Sequence, residues 1–238
     1  MIDQEMTGKK RPDQGKICVS VAAPDVDGVL RAVRPVLGEV DIVEIRLDAM
    51  QDPQVAPLLS RLSAPLLFTH RPDWEGGAFR GPEAKRMEVL LEAIRLQVAY
   101  VDIELDANAA LRDRLLEEME NSTTRMIISY HDFQQTPSAA RLSEILNWQW
   151  ESGAHIGKIV TMAHDHLDVL RVLNLQCEAA ELGFPLSAFC MGEIGRISRV
   201  ITLLLGGYMT YAALDREQAT APGQLTVAEI RDLLPRLS

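Results

Sequence analysis

Residues 42–48 read Ile42-Val43-Glu44-Ile45-Arg46-Leu47-Asp48, a run in which charged and apolar side chains alternate. A strand has a side-chain period of two, so Glu44, Arg46 and Asp48 fall on one face and Val43, Ile45 and Leu47 on the other. Val101-Asp102-Ile103-Glu104-Leu105 repeats the pattern. A half-exposed antiparallel strand would read this way. So would a strand whose apolar face meets helices while its charged face points into a closed barrel. The rest of the chain decides between them.

Eight short apolar runs recur along the sequence: Ile17–Ala22, Ile42–Asp48, Pro65–Arg71, Tyr100–Leu105, Arg125–His131, Ile156–Met162, Pro185–Met191 and Met209–Leu214. Amphipathic stretches separate them, among them 83–96, 107–120, 138–150 and 167–182, and 227–237 closes the chain. Strands alternating with helices predict a parallel sheet, and eight units in 238 residues predict a single-domain α/β fold, the (β/α)8 TIM barrel. A doubly wound open sheet is the alternative. The barrel is expected to span 16–238, after a polar segment at 1–15. Its strands would be covered by helices outside and packed side chains inside, so the charged face of 42–48 is assigned to the barrel interior.

Apolar residues make up 47% of the chain and charged residues 24%, which excludes a disordered protein. The net charge of −10, with no long basic run, argues against nucleic acid and anionic membrane surfaces as partners. Cys18, Cys177 and Cys190 are too few and scattered for a disulfide framework. The polar start, without a signal-peptide core, gives a cytoplasmic protein as the expectation. His164-Asp165-His166 invites a metal reading, but no third ligand stands at a convincing spacing, and Asp165 or His166 can cap the following helix. Neither a metal nor another cofactor is expected. Trp148 and Trp150 close a helical stretch as a core or subunit-contact patch.

Lysine is scarce. Of Lys9, Lys10, Lys16, Lys85 and Lys158, only Lys158 sits inside an apolar strand, with Ile156, Val160 and Met162 on its face. Desolvation favours the neutral amine, a nucleophile toward carbonyl carbon that forms a Schiff base. Read alone, Lys158 could equally be a structural lysine paired with a barrel carboxylate such as Glu104. One strand earlier, Ile127-Ile128-Ser129-Tyr130-His131 ends in a histidine, where barrels carry catalytic groups and where an imidazole can move a proton near neutral pH.

These segments resemble type I 3-dehydroquinate dehydratase, the Schiff-base-forming dehydroquinase. The resemblance runs in register from about Ile17 to the C-terminus. Its motifs are EIRLD at 44–48, FTHRPDWEGG at 68–77, DIEL at 102–105, SYHDFQQTP at 129–137, GAHIGKIVTM at 153–162, MGEIGRISR at 191–199 and ATAPGQ at 219–224. The resemblance implies a metal-free (β/α)8 barrel, commonly a homodimer, that dehydrates 3-dehydroquinate to 3-dehydroshikimate on the route to chorismate and the aromatic amino acids. By the same resemblance Lys158 forms the imine, His131 is the general acid/base, and Glu104 supports the histidine or lysine. Ser20, Glu44, Arg46 and Arg71 hold the substrate, Arg199 binds its carboxylate with Arg196 as competitor, and Thr220 and Gln224 belong to a closing loop. Arg46 and Arg71 are expected to share the carboxylate with Arg199.

Thr220 stands where the family has serine, Gly192-Glu193-Ile194 where it often has a lysine–acid pair, His70 where an aromatic residue is common, and Tyr130 for a smaller polar residue. The segments around Gly76-Gly77 and 219–224 are expected to be mobile loops at the site, with Glu75 either holding the first loop or exposed. Two other readings compete: a different lysine Schiff-base lyase of the aldolase kind, and a silent barrel serving as a ligand sensor. The first need not keep His131, Arg199 and the APGQ loop together. The second should have lost the lysine or the histidine.

Overall fold

The computed structural model describes residues 15–237, so the expected polar segment 1–15 lies outside it but for Gly15. The eight runs form parallel strands: β1 (Lys16–Val21), β2 (Ile42–Arg46), β3 (Leu66–Thr69), β4 (Tyr100–Glu104), β5 (Arg125–Asp132), β6 (Ile156–Met162), β7 (Leu186–Met191) and β8 (Met209–Ala212). Their order in the sheet is β7-β6-β5-β4-β3-β2-β1-β8, in which chain neighbours are sheet neighbours and β8 returns to β1 with Cys18 opposite Tyr211. That is barrel order and not the reversal of a doubly wound sheet. No strand ladder joins β7 to β8. The gap is bridged by Tyr208 N–H donating to Leu186 O at 2.7 Å and Met209 N–H donating to Ser187 Oγ at 3.2 Å. The fold is a nearly closed (β/α)8 TIM barrel.

The helices are α1 (Val26–Val33), α2 (Ala56–Arg61), α3 (Glu83–Arg95), α4 (Ala109–Met119), α5 (Ala139–Glu151), α6 (His166–Leu182), α7 (Gly192–Gly195), α8 (Ser198–Leu204) and α9 (Val227–Leu237). Side-chain caps start several of them: Asp25, Asn108 and Ser138 each accept a backbone N–H of the first turn. Asp165 does the same at α6, in a reciprocal capping box with Asp168. Among the described residues no group of three or more His, Cys, Asp or Glu is placed to hold a metal ion, and no helix is long and apolar enough to cross a membrane.

Strand parity holds. Val43, Ile45, Phe68, Val101, Ile103 and Ile128 face outward and pack with Leu58, Leu90, Ile94 and Leu115 of the helices. Each such side chain contributes about 2 kcal/mol by leaving water. Glu44, Asp102, Glu104 and Lys158 point into the barrel and are buried. Asp48 departs from the expectation. The strand stops at Arg46, and Leu47–Ala49 forms a 3-10 turn that takes Asp48 off the interior face.

Along β1 to β6 the inward positions change from apolar to polar toward the C-terminal ends: Cys18 to Ser20, Ile42 to Glu44, Leu67 to Thr69, Tyr100 to Asp102, Ile127 to Ser129 and Ile156 to Lys158, with the register stepping by two residues where Glu44 lies opposite Leu67 and where Asp102 lies opposite Ile127. The apolar members pack together as the barrel floor with Met209. The polar members make the layer above, toward the C-terminal strand ends. β7 runs from Ser187 to Phe189 and Met191, and β8 from Met209 to Tyr211, so these two strands present apolar and aromatic side chains toward the mouth. The barrel mouth therefore has a charged side and an apolar side.

Candidate active site

The polar layer opens into a pocket of about 540 Å³, partly solvent-exposed, at the C-terminal end of the barrel. That is the end where barrels place their sites. Of the residues read from the sequence, Glu44, Arg46, Arg71 and His131 line it, as do Lys158, Arg199, Thr220 and Gln224. Ser20 stands behind Glu44, to whose Oε2 it donates. Glu104 and Arg196 do not line it.

Lys158 projects from β6 into this layer. Its Nζ donates to Asp102 Oδ2 at 3.1 Å, lies 3.9 Å from Glu44 Oε1, and sits 4.0 Å from the centroid of the Tyr211 ring. The neighbours on its own strand face are apolar, as parity gave, but the neighbours across the barrel are two acids. The carboxylate on the lysine is Asp102 and not Glu104. Burial would raise Asp102, yet Arg71 and Lys158 outweigh it and hold its carboxyl well below the usual range.

Glu104, expected beside the histidine or lysine, instead lies between two arginines. Arg71 donates to its Oε1 at 2.6 Å, and Arg86 of α3 lies 2.7 Å from its Oε2 as an ion pair off the hydrogen-bond direction. Burial raises Glu104 to about 7 against the pull of both. Arg71 also donates to Asp102 Oδ1 (2.7 Å), Ser129 Oγ (2.7 Å) and Glu75 Oε2 (3.3 Å). Arg46 is occupied too, in a bidentate pair with Asp48 at 2.9 and 2.7 Å. Two of the three arginines expected to share a carboxylate are thus already engaged by acids of the chain.

Arg199 is the exception. It is 1% exposed, its guanidinium lies over the Phe189 ring at 4.8 Å, and it donates to Pro222 O at 3.3 Å. Its Nε has no partner, and among the described residues no carboxylate pairs with it. Burial pushes it down to about 10. A buried guanidinium without a counter-ion is a ready receptor for a carboxylate. Arg196, the competitor, pairs with Glu193 at 2.9 Å and faces a neighbouring cleft.

His131 is one interior position above Lys158 on the adjacent strand, since Ser129 pairs with Lys158 and His131 with Val160. Burial pushes its ring well below the ordinary 6.5, with Arg71 and Lys158 acting in the same direction, so it stands neutral at pH 7. Glu75 Oε1 accepts the His131 backbone N–H at 2.9 Å and lies 3.5 Å from Nδ1. Burial raises Glu75 to about 7.

Glu75 reaches the site because the loop after β3 is tightly tied. Asp48 accepts the N–H groups of Arg71 (3.1 Å) and Ala78 (3.0 Å), and Gly77 N–H donates to Pro72 O at 2.8 Å. A Cβ on Gly77 would stand 2.0 Å from Arg71 O, so only glycine lets the loop fold back this far. Of the two alternatives for Glu75, the structure shows the buried one. Asp102 was readable by parity as an inward acid, but its contact with Lys158 depends on a cross-barrel distance. The inward Tyr211 carried no sequence signal beyond its parity.

The second loop covers the pocket from the β8 side. Gln224 Oε1 accepts from Thr220 N–H at 2.8 Å and from its hydroxyl at 3.3 Å, while Nε2 donates to Tyr211 O at 3.3 Å. Gly223 has φ +74°, and a Cβ there would meet Gly192 O at 2.2 Å, which seats the loop on α7.

Comparison with known proteins identifies the family. The profile of the family described as type I 3-dehydroquinase matches residues 17–238. The chain is 42% identical over 221 residues to a 3-dehydroquinate dehydratase of Desulfotalea psychrophila, covering 93% of this chain and 97% of that one. Among solved structures it is similar to the 3-dehydroquinate dehydratase of Geobacillus kaustophilus (TM-score 0.85, 29% identity, 94% and 91% coverage). It is also similar to the type I enzyme of Clostridium difficile with covalent modified comenic acid (TM-score 0.84, 26% identity, 94% and 92% coverage). The chain belongs to the type I 3-dehydroquinate dehydratase family.

Proposed function

We propose that this protein dehydrates 3-dehydroquinate to 3-dehydroshikimate through a Schiff base on Lys158. The observation that carries the reading is one pocket holding an inward amine, a neutral imidazole one position above it and an unpaired buried guanidinium. In the proposed cycle Arg199 grips the substrate carboxylate, and the neutral form of Lys158 adds to the ketone carbon. Loss of water gives the iminium, an electron sink that makes the C2 proton removable. His131 takes that proton and returns it to the departing C1 hydroxyl, which leaves as water from the enamine. A second water then hydrolyses the product iminium and frees the amine. Glu75 holds the His131 backbone N–H and lies 3.5 Å from Nδ1, off the hydrogen-bond direction. Ser20 and Thr69 fix Glu44 in place to meet substrate hydroxyls, and Thr220 and Gln224 close the pocket against bulk water.

The biological setting in this reading is the shikimate route to chorismate and aromatic amino acids, in a cytoplasmic homodimer, with the barrel domain starting at residue 16. The test is incubation with 3-dehydroquinate and borohydride, followed by mass analysis of the peptide containing Lys158. A covalent adduct is expected, absent in Lys158→Ala and retained in His131→Ala, which dehydrates slowly. No adduct on the unaltered protein, together with no absorbance gain from dehydroshikimate, overturns the proposal.

A further inference from the structure

Lys158 is short of hydrogen-bond acceptors for a cation. An ammonium has three N–H donors, yet among the described residues Nζ donates only to Asp102. Glu44 at 3.9 Å is too far for a bond, and its oxygens already accept from Ser20 and Thr69. The next neighbour of Nζ is the face of Tyr211, 4.0 Å from the ring centroid. That ring is 4% exposed and lies against Phe189, with centroids 6.0 Å apart. Its strand is paired with β1, and its backbone oxygen is held by Gln224. The Tyr211 hydroxyl has no partner among the described residues. What this side chain offers the lysine is therefore its π face, whose negative potential attracts a desolvated cation.

We propose that Tyr211 is a positioning residue that holds the Lys158 nitrogen, through its ring face, in each cationic state of the cycle. The iminium part of this statement rests on the Schiff-base reading; the ammonium part does not. The ring suits the cycle better than a second acid would. A carboxylate binds through an N–H pointing at it, and an iminium formed on Lys158 retains one N–H where the ammonium has three. Asp102 can take that one. A ring face needs only the charge, which both forms carry, so its hold persists as donors are lost. It relaxes only while the nitrogen is neutral, the form that attacks the ketone.

The charged and titratable groups around Nζ are Asp102 of β4, Glu44 of β2, His131 of β5, Cys18 of β1, Arg71 after β3 on the other oxygen of Asp102, and Tyr211 itself, while β7 places Ser187 opposite Lys158. None of the first five is altered by substitution at 211. The experiment follows the rate at which Lys158 of the full chain is methylated by formaldehyde and cyanoborohydride, read by peptide mass across pH. Tyr211→Leu is expected to move the half-maximal pH of this reaction down by about one unit, about tenfold in amine basicity. Tyr211→Phe, which keeps the ring, holds it within a few tenths of a unit.

Phenylalanines of increasing fluorine content at 211, which drain the ring face with little change of shape, should step the half-maximal pH down in order. They decide the matter if the leucine variant does not fold. The proposal is overturned if the profile ignores the fluorine series, or if Tyr211→Phe moves it as far as Tyr211→Leu, which would make the hydroxyl the agent. The methylation uses no substrate, so it judges the ring separately from the trapping experiment that judges the function.

Discussion

Arg199→Met should leave the empty protein more stable and its pocket much poorer at holding a carboxylate. The guanidinium is 1% exposed, and among the described residues no acid pairs with it. Burial takes Arg199 from its ordinary 12.5 to about 10. At about 1.4 kcal/mol per tenfold, holding it charged costs the folded state about 3 kcal/mol. The folded value lies below the unfolded one, so this cost is complete below pH 10 and fades only between 10 and 12.5. An assay at neutral pH sees all of it. Methionine forfeits the bond to Pro222 O, about 1 kcal/mol, and the contact with the Phe189 face, about another 1. It refills the volume of the arginine stem.

The net gain is roughly 1 kcal/mol, which for a chain of this length raises Tm by about 2–4 °C. Two charge-assisted bonds to a substrate carboxylate are worth roughly 3 kcal/mol or more. KM for 3-dehydroquinate should then rise at least ~100-fold. Scanning calorimetry with and without substrate reads the first effect, and steady-state dehydration followed by absorbance reads the second. A variant that melts below the unaltered protein and keeps its KM would refute the view that Arg199 is an unbalanced cation awaiting an anion.

Glu75 titrates near 7 and ionises above it, whereas His131 is already neutral there, so kcat should climb with pH through about 7. Glu75→Gln should flatten that limb; a limb that survives would move its origin to Glu104, the other carboxyl raised to about 7. Arg86→Met removes a wholly buried cation that joins Glu104 to Glu83 and to His70 O (2.9 Å). Leaving Glu104 with Arg71 alone should cost about 3–5 kcal/mol and roughly 10 °C in Tm, and a melt within 2 °C of the unaltered protein would show that the pair adds little. Gly77→Ala should lower both Tm and kcat, because its Cβ must displace Arg71 O and with it the loop carrying Glu75. Gly38→Ala, where nothing lies within 4 Å, is the control, and equal melting of the two would refute the close approach.

The barrel was legible because its signal is local. The alternation at 42–46 and 101–105 sorts side chains to two faces whatever lies around them, and eight such units leave few topologies. Lys158 was legible for the same reason, as a lysine within an apolar strand. What stayed hidden depends on distance across the barrel. Parity places both Asp102 and Glu104 inside, but only the stagger of the strands puts Asp102 at 3.1 Å from Lys158 and leaves Glu104 to Arg71 and Arg86. Asp48 was misplaced because the strand ends two residues before it and the chain turns. The occupation of Arg46 and Arg71 could not be read either, since their acids come from three different loops and strands. Glu75 was ambiguous in sequence because burial of a loop acid depends on how Asp48 and Gly77 draw the loop inward.

The arrangement of charge explains why so many acids can be buried beneath a site meant for an anion. Glu44, Asp102, Glu104 and Glu75 all lie on the β2–β4 side, and Arg71, Arg86 and Lys158 answer them there. The apolar side formed by β7 and β8 has no acid among its upper inward residues, and Arg199 stands over it alone. A carboxylate entering the pocket therefore meets, on the apolar side, Arg199, the one pocket arginine that pairs with no acid among the described residues. In the proposed cycle the ketone of the substrate is then directed toward the amine. Under the proposed chemistry the nitrogen of Lys158 is positive both before attack, as ammonium, and after it, as iminium. Asp102 is then left without its cation only while the amine is neutral, and Arg71, bonded to its other oxygen at 2.7 Å, still holds it through that interval. Replacing Arg71 by lysine would keep the charge but lose the fork that spans Asp102, Glu104 and Glu75. The neutral-amine state should suffer most, so imine formation should slow more than hydrolysis of the preformed imine.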